Sequence, residues 1–190
     1  MTFLPSDTLA SRIGSRWTLT HRQQEMLWVL LGNLMLVASA KVQVPMWPVP
    51  TTLQTLVVLM LPLVLGRWLG SATIALYLAE GALGLPVFAG GQAGIPYILG
   101  PTGGYLTGFW ASAVLLGWWG EQSRSRSVTG ATWGMLFGHA LIYALGVLWL
   151  SQFVGWDQVL ELGVYPFVLG DVMKVAVGAT ALPWLWKKLG

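Results

Sequence analysis

The sequence predicts an all-α integral membrane bundle of six transmembrane helices, with a capping outer loop between helices 3 and 4. Three observations predict it. Of the 190 residues, 55% are hydrophobic and only 9% are charged, against roughly 25% charged in an ordinary soluble domain. The apolar residues gather in six runs, the clearest long enough to cross a hydrocarbon core of about 30 Å. Between the third and fourth runs lies an uncharged Gly/Pro-rich stretch, Leu85 to Pro101. It is too apolar for a water-exposed linker and too irregular for a lipid-facing helix. Irregular backbone at membrane depth persists only where protein buries it or water wets it, so this stretch is expected to cap a cavity.

Taken in order, residues 1–22 form a cytoplasmic N-terminal segment, and residues 23–190 form the membrane domain. In the segment, Leu9, Ile13 and Trp17 recur at helical spacing, with Arg12 and Arg16 between them. That pattern fits a short amphipathic helix on the inner leaflet and a disordered tail alike. It does not read as a cleavable signal peptide, which needs basic residues followed at once by a short apolar run. The first helix is expected to stay in the mature protein. The apolar runs are Glu25–Ala40, Thr52–Leu65, Trp68–Leu85, Thr102–Gly120, Val128–Val154 and Tyr165–Trp186. From Val42 to Gly120 the only charges are Arg67 and Glu80, and Leu65-Gly66-Arg67-Trp68 reads as a tight reversal between the second and third helices. The segment Val44 to Pro50 holds three prolines and cannot be helical.

Orientation follows from the basic residues. With the N-terminus inside, the cytoplasmic face receives Arg12, Arg16, Arg22, Arg67, Arg124, Arg126, Lys187 and Lys188, while the outer face receives Lys41 alone. This asymmetry puts both termini in the cytoplasm of a multi-pass inner-membrane protein. The two Pro/Gly-rich loops then share the outer face. Most of the tryptophans, including Trp68, Trp118, Trp119, Trp184 and Trp186, fall at inner helix ends, where an interfacial belt places them. Gly66 and Gly70, Gly104 and Gly108, and Gly134 and Gly138 sit at helix-packing spacing.

Composition and motifs exclude several functions. The net charge of +3 comes from dispersed basic residues rather than a basic face, so no nucleic-acid partner is expected. The chain has no cysteine, and no thiol chemistry is possible. No P-loop, zinc helix or nucleophile elbow is present. The chain is therefore not expected to be an enzyme or to hold a cofactor, and energy for uphill movement must come from a partner or an ion gradient.

The residues that suit chemistry are few. Asp171 and Lys174 lie three apart in the last helix and project from one face. Charges inside a bilayer face the bundle interior, paired or functional. Together they offer an acceptor and a cation to a ligand with N–H groups and a carboxylate. Glu80, in the third helix, suits a pairing with Lys174 or Lys41, a wet cavity, or ligand contact. His139 reads as a hydrogen-bonded packing residue, and Asn33 as a helix–helix hydrogen bond.

Four blocks resemble a known family. They are Pro48-Val49-Pro50-Thr51-Thr52-Leu53-Gln54-Thr55-Leu56, Gly84 to Gly91, Leu99 to Leu106, and Gly170-Asp171 to Lys174. In order and spacing they resemble BioY proteins, the biotin-binding S components of energy-coupling-factor (ECF) transporters. The resemblance implies a six-helix bundle with a pocket near the outer surface. It implies biotin as substrate, and as partners a transmembrane coupling subunit and two cytoplasmic ATPase subunits. It places Asp171 and Lys174 at polar ligand contacts, with Gln92 as the available substitute for a loop amide. Phe88, Tyr97 and Trp47 are then expected as apolar walls. The small residues of the first helix, Gly32, Ala38 and Ala40, depart from the clean spacing of related docking helices. The rival readings are a small ion-coupled secondary transporter using Glu80, Asp171 and Lys174 as a proton relay, an intramembrane enzyme using His139 and Asp171, and a membrane scaffold.

Overall fold

The computed structural model describes residues 3–5, 7–45, 47–122 and 124–189. Met1, Thr2 and Ser6 of the N-terminal segment and Met46 of the outer Pro-rich loop lie outside the described residues. The short helix α1 (Leu9–Gly14) precedes α2 (His21–Lys41), and the two-residue strands β1 (Gln43–Val44) and β2 (Thr51–Thr52) follow. Then come α3 (Gln54–Leu65), α4 (Arg67–Ala82), a 3₁₀ turn at Ala89–Gly91 and the short α5 (Ile95–Ile98). The chain ends with α6 (Gly103–Glu121), a 3₁₀ turn at Arg124–Arg126, α7 (Val128–Val154), the short α8 (Val159–Gly163) and α9 (Tyr165–Leu189).

The first long helix begins four residues before its apolar run, because Thr20 and Gln23 form a reciprocal capping box. The Thr20 side chain accepts from the Gln23 N–H, and the Gln23 side chain accepts from the Thr20 N–H, so two orphan donors are satisfied ahead of the lipid-facing residues. The reversal between α3 and α4 is a single residue, Gly66, at φ 84°. The Arg67 N–H that starts α4 donates to Glu121 Oε1 at 2.7 Å, so α6 caps α4. The Pro-rich connection departs from simple loop character. Gln43 pairs with Thr52 and Val44 with Thr51 in a minimal antiparallel ribbon, which closes the loop on itself above α3.

Glycines set how closely the helices approach. A Cβ on Gly104 would lie 2.3 Å from Trp149 Cβ, and one on Gly108 would lie 2.8 Å from Ile142 Cα. Gly70 likewise meets Pro62 Cα at 2.6 Å. These contacts join α6 to α7 and α4 to α3. The central core is formed by Leu59, Leu63, Ile74, Leu116, Met135 and Leu182, all fully buried. The outer faces are equally apolar: Leu34, Leu148, Leu169 and Met173 are exposed. A surface of this kind belongs in lipid. Helix α7 and the run Val159–Leu189 are each apolar and long enough to cross a hydrocarbon core. Helix α1 packs across the end of the bundle formed by α3 and α9, burying Leu9 and Ala10. With α2, α3 and the end of α9 it lines an apolar groove of about 600 Å³ that also includes Gly32 and Ala38.

Candidate functional site

The polar site is assembled on α9, α7 and the start of α3. Asp171 and Lys174 sit one turn apart on the inward face of α9, and both are buried. Lys174 Nζ donates to Asp171 Oδ1 at 2.8 Å and to Thr55 Oγ1 at 2.8 Å. The Tyr143 hydroxyl donates to Asp171 Oδ2. His139, one turn before Tyr143 on the same face of α7, brings Nε2 to 3.5 Å from Asp171 Oδ1. Each charge thus has an opposite partner and further hydrogen bonds, the condition under which a buried pair is tolerated. Gln54 enters from the start of α3. It is 4% exposed, and its Nε2, near the Tyr77 hydroxyl, makes no hydrogen bond of good geometry among the described residues.

These groups line one end of an inner cavity of about 60 Å³, whose other walls include Tyr97, Tyr105, Leu106, Phe109, Ile142 and Phe167. Pro50, Ala89, Tyr97 and Thr102 separate it from an outer chamber of about 340 Å³. The segment between α4 and α6 forms most of this partition, and Pro50 comes from the connection between α2 and α3. Phe88 is fully buried, stacked on Tyr97 at 5.1 Å between centroids and edge-on to Tyr77 at 5.5 Å. Burial raises the Tyr97 phenol above its ordinary range, so it stays a neutral donor. The Gly94 N–H donates to the Gly81 carbonyl at 2.7 Å. Lys41, at the C-terminal end of α2, donates to the carbonyls of Pro86 and Phe88.

Among the seven residues singled out from the sequence, Asp171, Lys174 and Tyr97 meet at the inner cavity. Gln92 lines only the outer chamber. Phe88 braces Tyr97 from behind rather than facing the cavity. Trp47 is 75% exposed and lines neither space. Glu80 does not reach Lys174 or Lys41. Both its carboxylate oxygens accept from Asn33 Nδ2 at 2.8 Å, joining α4 to α2 away from the cavity. Sequence reasoning missed Gln54, Thr55 and Tyr143. Gln54 and Thr55 lie within a block already noted for its resemblance, and Tyr143 stands one helical turn from His139. His139 does pack as expected, its Nδ1 lying 3.0 Å from the Met135 carbonyl, but it also faces the ion pair.

This architecture has known counterparts. A model of the BioY family matches residues 12–190. The chain belongs to the BioY family. It is 39% identical, over 82% of its length and 91% of the relative's, to a probable biotin transporter BioY of Pyrococcus horikoshii. It is 38% identical to the biotin transporter BioY of Thermotoga maritima, over 76% of this chain and 85% of that protein. The biotin transporter BioY2 of Lactococcus lactis subsp. cremoris is 36% identical, over 77% of this chain and 81% of that one. These family members are named as transporters, not enzymes. In fold, the chain is similar to the S-component for biotin from an ECF-type ABC transporter, solved at 2.1 Å. The TM-score is 0.79 at 24% identity, covering 91% of this chain and 97% of that one.

Proposed function

We propose that this chain captures biotin as the substrate-binding subunit of an ECF-type vitamin transporter. One observation carries the reading within the family: Asp171, Lys174, Thr55, Tyr143 and the buried amide of Gln54 converge on a cavity whose other walls are mainly apolar and aromatic. A few placed polar groups in an apolar pocket are the usual solution for a small ligand. The ureido head of biotin carries both N–H donors and a carbonyl acceptor. Asp171 suits the N–H groups, while Lys174 and Gln54 suit the carbonyl. The ligand carboxylate has no N–H to offer Asp171 and would be repelled by it, so the head enters the inner cavity first. The aliphatic tail then extends toward the outer chamber and Gln92.

In this reading residues 23–190 span the cytoplasmic membrane six times, the segment between α4 and α6 caps the outer face, and both termini are cytoplasmic. Helix α1 packs at the cytoplasmic end of the bundle. The groove containing Gly32 and Ala38 receives a transmembrane coupling subunit, and two cytoplasmic ATPase subunits supply energy. The separation of Glu80 from the ion pair speaks against a proton relay through all three groups. Titration of the detergent-purified protein with biotin, followed by tryptophan fluorescence, tests the proposal. Saturable binding of biotin, with no response to unrelated vitamins, is expected. An unresponsive protein would remove the reading.

A further inference from the structure

His139 has a geometry that the ion pair alone does not account for. Its Nδ1 lies 3.0 Å from the Met135 carbonyl oxygen. A carbonyl only accepts, so Nδ1 holds a proton in either charge state of the ring. Nε2 of the neutral ring is therefore a bare lone pair. It sits 3.5 Å from Asp171 Oδ1, at the limit of hydrogen-bond reach, and no bond of good geometry joins it to the described residues. Two acceptors thus lie side by side in the wall of the inner cavity, and the imidazole is only 6% exposed. Oδ1 already accepts from Lys174 and Thr55, so the bare Nε2 is the acceptor left without a donor, and burying it in that state is unfavourable. Two things can lie between Nε2 and Oδ1: an N–H from a ligand, or a proton on Nε2 itself.

We propose that His139 shares a ureido N–H of biotin with Asp171, and that biotin and a proton compete for this position. The inference rests on the biotin reading above and adds a residue and a proton to it. With the ring neutral, one ligand N–H seated between Nε2 and Oδ1 gives Nε2 its donor and adds one to Oδ1. With the ring protonated, Nε2–H points at Oδ1 and fills the gap, and the ligand loses both partners. The other titratable groups lining the same cavity are Asp171 and Lys174 on α9, Tyr143 on α7, Tyr105 on α6 and Tyr97 on α5. The neighbouring part of α3 contributes only the neutral Gln54 and Thr55. Among these side-chain types, imidazole is the one whose ordinary charge change falls between about pH 5 and about pH 8. Protonation favours the unliganded site, so affinity must fall as pH falls.

Calorimetric titration of the purified full chain with biotin, from about pH 8 down to about pH 5.5, tests this in buffers of different ionisation enthalpy. The wild type is expected to lose up to about tenfold in affinity per pH unit wherever the free ring is charged. Over the same range its apparent heat should depend on the buffer, reporting a proton released on binding. In His139→Gln, an amide oxygen takes the place of Nε2 without titrating. That protein is expected to bind more weakly at high pH, with a flat profile and no buffer-dependent heat. Wild-type binding that is tight and pH-independent would overturn the proposal without need of any variant. So would a slope that survives in His139→Gln. A wild type that ignores biotin at every pH would instead remove the functional reading beneath it.

Discussion

Asp171 is the residue whose neighbours demand most of it. It accepts from Lys174 and Tyr143, and Thr55 stands behind Lys174 as a second acceptor for the ammonium. Removing one member of a buried pair leaves the other charge without compensation, at about 3–5 kcal/mol. We therefore expect Asp171→Asn to lower stability toward the start of that range and to abolish biotin binding. Replacing both charges, in Asp171→Leu with Lys174→Met, should recover most of the stability and none of the binding. Thermal unfolding in detergent and biotin titration of the two proteins separate these outcomes. A Gln54→Leu substitution removes a donor that makes no hydrogen bond of good geometry among the described residues. It should leave unfolding unchanged or slightly improved while weakening biotin binding by roughly tenfold, since one lost hydrogen bond is worth about 1 kcal/mol or somewhat more. The Asp171–Lys174 pair was legible from the sequence because three-residue spacing fixes one helix face. Thr55 and Tyr143 were not, because they approach Asp171 from 116 and 28 residues away, and local periodicity holds no information on such meetings. Glu80 misled for the same reason. Its partner, Asn33, is 47 residues distant, and two polar groups in lipid pair with whichever neighbour the bundle supplies.

At the scale of elements, the six apolar runs correspond closely to α2, α3, α4, α6, α7 and α9, since hydropathy over a dozen residues or more outweighs local detail. What it could not resolve were the short pieces. The β1–β2 ribbon and α5 lie in Pro/Gly-rich sequence, where side-chain hydropathy has no period and backbone closure decides the shape. The segment between α4 and α6 depends on one close approach. A Cβ at Gly81 would fall 2.0 Å from Phe88 Cζ, so Gly81→Ala must expel the ring that supports Tyr97. We expect it to speed biotin dissociation at least tenfold in stopped-flow fluorescence. Such a change of rate amounts to about 1.4 kcal/mol in the barrier. The α6–α7 contact is less forgiving. Gly108→Val drives a side chain against Ile142 backbone and is expected to cost about 1–3 kcal/mol in thermal unfolding, with no selective effect on the ligand.

For the molecule as a whole, the binding site and the groove lined by Gly32 and Ala38 occupy different parts of one bundle. Filling the groove with Ala38→Trp should leave biotin affinity intact while blocking uptake in cells that depend on external biotin. Equal loss of both would mean that the groove does not serve a partner. Helix α2 joins the two regions mechanically. Near its middle it is fixed to α4 through Asn33 and Glu80; at its C-terminal tip Lys41 grips the carbonyls of Pro86 and Phe88. The stretch from Gly32 to Lys41 is roughly 13 Å long. A tilt of about ten degrees around that fulcrum would swing the ammonium by roughly 2 Å, farther than a hydrogen bond can stretch. A load on the groove at Ala38 would thereby act on the same arm of α2 whose tip holds the segment between α4 and α6.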